Sequence, residues 1–119
     1  MKRDWDLIRQ ILLKVEALEN TRTALEADKV NPKKTEEVSY QMQLLIEAEL
    51  VKGDCDRSIG APLDCFVMRL TWEGHEFLDS IKNDSQWDKT KDFIAEKGAN
   101  LSFETIKVAV GQLVRSMFA

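Results

Sequence analysis

The chain has 119 residues, 44% of them hydrophobic and 32% charged, with a formal charge of −4 and a pI near 5.1. That length suits one domain whose modest core takes up roughly two thirds of the unfolded surface, and the balance of residue types excludes a disordered chain. The acidic total argues against a protein whose main task is clamping a phosphate backbone, because that affinity comes from Lys and Arg displacing counterions.

The opening MKRDWDLIRQILLKVEAL joins a basic pair to apolar residues, but Asp4, Asp6, Arg9 and Lys14 interrupt them. Neither a signal peptide nor a membrane span fits that pattern, so a cytoplasmic location without membrane contact is expected. From Asp4 to about Glu19, residues Trp5, Ile8, Ile11, Leu12, Val15 and Leu18 recur at steps of three and four, which predicts a first helix ended by Asn20 and Thr21. The following TRTALEADKV has no such stripe and leaves room for a short edge strand.

Asn31-Pro32 is a break, since Pro disfavours helix in the residue before it. Thr35 is then expected to cap a short helical turn with Glu36 and Glu37 in its first positions. From Ser39 a longer helix is predicted over YQMQLLIEAEL, with Met42, Leu45, Ile46 and Leu50 facing inward and Gly53 closing the segment. LVKGDCD and DCFVMRLT then read as two strands joined by RSIGAPL, whose Gly60 and Pro62 mark a loop, and Phe66, Met68 and Leu70 alternate with Val67, Arg69 and Thr71.

LTWEGHEFLDSI marks the return to helix: Thr71 stands at the cap, Glu73 in the first turn, and Phe77, Leu78 and Ile81 on the buried stripe. His75 is the chain's one histidine, and with no nucleophile or second histidine nearby it reads as a partly exposed helical residue. Asn83 and Asp84 interrupt the helix, Ser85 with Asp88 resembles a capping box for another carrying Trp87 and Ile94, and that helix ends near Gly98. A last helix is predicted from the Ser102 cap, with Leu101 and Ile106 spaced as a hydrophobic staple. Its Phe103, Ile106, Val110, Leu113 and Met117 make a seam of about two heptads, suited equally to a homodimer axis or to packing on the first helix.

The two cysteines, Cys55 and Cys65, flank the hairpin loop; they are expected to be reduced, small buried residues, although a cross-strand pair is geometrically open to them. With one histidine they complete no metal set, and no cofactor or small-molecule substrate is expected. A phosphate-cradling glycine loop, a nucleophile elbow and a histidine pair are all lacking, so the chain is not expected to be an enzyme.

Helix, short strand, short helix, longer helix, hairpin, helix is the order of a winged helix-turn-helix. The expected fold is therefore α+β and mostly helical: a winged-helix core over residues 1–82 with a C-terminal helical extension over 83–119. MKRDWDLIRQILLKVE, VSYQMQLLIEAELV, LTWEGHEFLDSI, WDKTK and LSFETIK, in that order, together resemble a family of small bacterial and prophage proteins known as a domain of unknown function. The resemblance implies a winged-helix-like fold and carries no activity. It also implies Gly in many members where this chain has Glu49, and a left-handed turn there would cost Glu about 1 kcal/mol.

Two functions from different classes follow. In a DNA-binding transcription regulator, Ser39, Tyr40, Gln41 and Gln43 would read base edges of double-stranded DNA, with Lys33, Lys34, Lys52 and Arg57 on the phosphates. From Thr35 to Val51, however, there is no Lys or Arg, while Glu36, Glu37, Glu47 and Glu49 are present, which predicts weak affinity. The alternative is a protein-interaction module whose acidic helix and exposed Tyr40 engage a host or phage regulatory protein.

Overall fold

The computed structural model describes residues 1–118, which form a mostly helical α+β chain with six helices and one three-stranded antiparallel sheet. In chain order these are α1 (Trp5–Glu16), β1 (Leu25–Glu26), α2 (Ala27–Val30), α3 (Thr35–Glu47), β2 (Val51–Asp56), β3 (Asp64–Leu70), α4 (Trp72–Ile81), α5 (Asp84–Glu96) and α6 (Phe103–Phe118). The chain divides into two compact units, Met1–Leu78 and the remainder from Asp79 onward, so the boundary falls inside α4. No helix among the described residues is long and apolar enough to cross a membrane.

In the first unit, α1 starts where Asp4 Oδ1 accepts the Leu7 N–H at 3.1 Å, and it buries Ile8, Ile11, Leu12 and Val15. The helix is shorter than its apolar spacing predicts. It closes at Ala17, and Asn20, rather than ending a helix, folds the loop by accepting from Arg22 N and Thr23 Oγ1, both at 2.9 Å. Chain continuing from that loop forms β1, whose buried Leu25 pairs with Val67 of β3.

The short helical turn expected at Thr35 does not form as a separate element; a short helix that the sequence reading did not expect, α2, lies before Pro32 instead. Asn31 Oδ1 accepts the Lys33 N–H at 3.0 Å and the Asn31 carbonyl accepts from Lys34 N, making a turn. Thr35 is not a cap: Lys34 holds that position without a side-chain bond, and α3 runs unbroken through Ser39, because nothing between Thr35 and Glu47 interrupts a helix. Val38, Met42 and Leu45 are buried at helical spacing, whereas Ile46 is only half-buried.

The hairpin is as predicted in extent, but its register holds a bulge. Lys52 faces Arg69 and Gly53 faces Val67, so Met68 is the extra residue on β3. Simple alternation therefore fails: Cys65 and Val67 are buried, and beyond the bulge so is Leu70, while Phe66 stays exposed. Gly53 does not close a helix. It lies inside β2, where a Cβ would overlap the Phe66 carbonyl oxygen.

LTWEGHEFL becomes a lock between the end of α3 and the start of α4. Leu50 N bonds the Leu45 carbonyl and Glu49 N bonds that of Ile46, both at 3.0 Å, a closing pattern that puts Glu49 in the left-handed region at φ 61°. Thr71 Oγ1 donates to the Glu49 carbonyl at 2.7 Å and accepts the Gly74 N–H at 3.0 Å, capping α4, while Thr71 N donates to the Leu50 carbonyl. Gly74 is required by this approach, since any Cβ would run into the Leu50 carbonyl oxygen. Phe77 and Leu78 are buried, and the Phe77 ring lies 6.2 Å from that of Trp5 in a tilted pair.

In the second unit, α5 is capped by Asn83, whose Oδ1 accepts from Gln86 N at 2.9 Å, not by the Ser85–Asp88 pair. Asn83 stands in extended conformation just ahead of the helix, whereas Ser85 is already inside it. Trp87, Thr90 and Ile94 are buried, and Gly98 ends the helix at φ 70°. Ser102 caps α6 in a reciprocal pair: Thr105 N donates to Ser102 Oγ at 3.1 Å, and Ser102 N to Thr105 Oγ1 at 2.8 Å. Ile106 is fully buried, but Leu101 remains exposed.

Candidate functional site

The outward stripe of α3 is set by its periodicity. Glu36, Tyr40, Gln43 and Glu47 follow one another at steps of four, three and four; the two glutamates are exposed and the two between them half-buried. Tyr40 is thus less open than the sequence implies. Lys33 and Lys34 are exposed on the turn before the helix.

Two of the residues expected to read bases face inward. Ser39 is fully buried and its Oγ accepts the Cys65 N–H at 3.0 Å; Gln41 is 2% exposed, accepting from Asp4 N and donating to the Lys2 carbonyl, both at 2.9 Å. Ser39 satisfies a buried backbone N–H that would otherwise lie unpaired, and Gln41 ties the chain start to α3 through part-buried bonds. Ser39 and Gln41 therefore leave the base-reading set, because they lie in the middle of α3 on its buried flanks and not at its exposed start.

The hairpin carries both signs of charge, Lys52, Arg57 and Arg69 beside Asp54, Asp56 and Asp64. Lys52 and Arg69 sit directly opposite each other near its base, Arg57 follows β2 at the tip, and all three are exposed. Beside the tip lies an acidic cleft of about 610 Å³ with Glu26, Asp28, Asp56 and Asp64 on its walls and Thr35 and Phe66 among its other residues.

The cysteines correct the reduced, unpaired expectation: Cys55 and Cys65 face each other across β2 and β3 and are joined by a disulfide. Cys65 is buried, whereas Cys55 is half-buried. Sequence spacing placed the pair on a hairpin; the register that runs unbroken from Asp56–Asp64 to Gly53–Val67 brings them opposite. His75 is exposed on α4, and among the described residues no group of three or more His, Cys, Asp or Glu is placed to hold a metal ion.

In the second unit, the seam residues divide. Ile106 is buried, Phe103, Val110 and Leu113 are half-buried, and Met117 is 62% exposed, its Sδ accepting from Gln86 Nε2 at 3.2 Å. Val108, Val114 and Phe118 add exposed apolar surface, and Val108 borders a groove of about 220 Å³ with Phe93 and Ala99.

Comparison with known proteins places the chain in a family. The model of DUF2513, described as a hypothetical protein, matches residues 2–100, which leaves α6 outside the matched span. A protein of Haemophilus influenzae described as uncharacterized is 40% identical over 119 residues, covering the whole of both chains. No solved structure matches. The chain belongs to the DUF2513 family.

Proposed function

We propose that this DUF2513 protein is a winged-helix interaction module whose α3 face engages a protein with a basic surface. The winged-helix reading is supported by the element order α1-β1-α2-α3-β2-β3 and the strand order β1-β3-β2, with β2 and β3 as the wing. The observation that carries the choice of partner is the outward stripe of α3, with Glu36 and Glu47 exposed and no cation on the helix. In a DNA groove those carboxylates would meet phosphates of like charge, whereas a lysine- or arginine-rich partner would be steered toward them. The acidic cleft beside Thr35 extends the same sign of charge.

The test is affinity capture from a bacterial lysate with the intact chain and with a Tyr40→Ala, Glu47→Lys double variant. A specific protein retained by the former and lost with the latter is expected, with retention weakening as salt rises. Equal retention by the variant would remove the α3 face from the interaction.

A second reading, DNA binding through the wing as in a transcription regulator, is favoured by the facing Lys52 and Arg69 with Arg57 beyond them. Titration against random and phage-derived duplexes at two salt concentrations separates the readings. DNA binding of this kind weakens steeply with salt, by a log–log slope of about −0.9 per phosphate contacted, and no binding at low salt excludes it.

A further inference from the structure

The last two rungs of the hairpin oppose each other energetically. At the first, Cys55 and Cys65 are covalently joined. At the next, Asp56 stands directly opposite Asp64, and like charges in facing positions of a sheet destabilise the pairing. Asp54 adds a third carboxylate to the same end, with Arg57 the one cation between Asp54 and Cys65. Beyond these rungs the tip from Arg57 to Leu63 contributes little buried apolar surface, Ile59 being fully exposed.

We propose that the Cys55–Cys65 disulfide is a reducible clip that holds a repulsive rung closed, so that the thiol status of the surroundings sets whether the hairpin tip is paired or open. The anchored side is Cys65, buried and tied through its N–H to Ser39 of α3. The approachable side is Cys55, half-buried on β2. A small thiol, as its thiolate, attacks Cys55 Sγ; the S–S bond breaks, Cys65 leaves as thiolate and takes up a proton. A second equivalent of the thiol then displaces Cys55 from the mixed disulfide. Two electrons pass from the two reductant thiols to the protein, giving two cysteine thiols and one oxidised reductant.

Reduction then frays the hairpin back to the rung of Asp54 and Phe66, while the remaining pairs, from Gly53–Val67 to Val51–Leu70, and the core of α1 and α3 stay in place. The flanking carboxylates also select the reductant: a cationic aminothiol such as cysteamine should react faster than an anionic thiol such as mercaptoethanesulfonate, by roughly three- to tenfold at low salt. In a reducing compartment such a pair is transient and responsive rather than a permanent staple. None of this depends on what the α3 face binds.

The experiment measures amide exchange over residues 56–64 in the intact chain, oxidised with glutathione disulfide and then reduced with dithiothreitol, with alkylation counting the thiols. Closed and open states should differ by roughly tenfold or more in tip exchange, with helical circular dichroism unchanged. A Cys55→Ser chain should match the reduced state under both conditions. An Asp56→Asn, Asp64→Asn chain should keep its tip protected after reduction and lose most of the discrimination between the two thiols. Two free thiols after oxidation, tip exchange that ignores reduction, or loss of helix on reduction would each overturn the clip.

Discussion

Two helix ends in this chain use the same closing geometry with opposite residues. At the end of α3 the left-handed position is Glu49, at φ 61°, and at the end of α5 it is Gly98, at φ 70°. In both, two backbone N–H groups turn back onto the last carbonyls, from Glu49 and Leu50 in the first and from Gly98 and Ala99 in the second. The surroundings differ. The Glu49 carbonyl accepts from Thr71 Oγ1 and the Leu50 carbonyl from Thr71 N, whereas an added Cβ at Gly98 would meet nothing within 4 Å. Where Thr71 binds the carbonyls of the turn, a residue that disfavours it is carried; at Gly98 the residue itself permits it.

The sharpest way to break this contrast is Gly74→Ala. The new methyl collides with backbone, the Leu50 carbonyl oxygen, which cannot swing aside, and a loss of about 3 kcal/mol is expected in urea unfolding. A loss under 1 kcal/mol would show that the junction yields. Thr71→Val keeps the shape but removes the α4 cap and the bond to the Glu49 carbonyl, for about 2 kcal/mol. Gly98→Ala has open space around it and carries only the backbone penalty, about 1 kcal/mol, read in the thermal midpoint. Smallest is Glu49→Gly, which relieves the left-handed turn at the cost of a more flexible unfolded chain, for a gain of about 0.5 kcal/mol. A destabilised Glu49→Gly chain would mean the glutamate side chain contributes there.

The same lock explains what the sequence disclosed. Thr71 and Gly74 act through local chemistry, a cap and a missing Cβ, so LTWEGHEFLDSI announces its helix start and the strand before it. Ser39 and Gln41 act at a distance of 26 and 39 residues, on Cys65 N and the Lys2 carbonyl. Polarity cannot say whether a donor faces water or a buried backbone group, so they looked like ligand-reading residues. The facing cysteines were left open for a related reason: spacing gives a hairpin, but which flanking residues meet depends on how much chain the tip takes up, here Arg57 to Leu63, and composition does not encode that. The acidity of this segment was legible, since it holds glutamates and no Lys or Arg, but the stripe was not: the expected break before Ser39 set Glu36 on a separate turn, whereas α3 is one helix from Thr35 to Glu47.

Gln41 has one more consequence. Its amide presents an acceptor and a donor to Asp4 N and the Lys2 carbonyl, standing in for a neighbouring strand. The opening residues are therefore moored to the middle of the third helix. Trimming them before expression would strip the Gln41 amide of both partners and uncover it, so a shortened N-terminus would be felt some forty positions downstream.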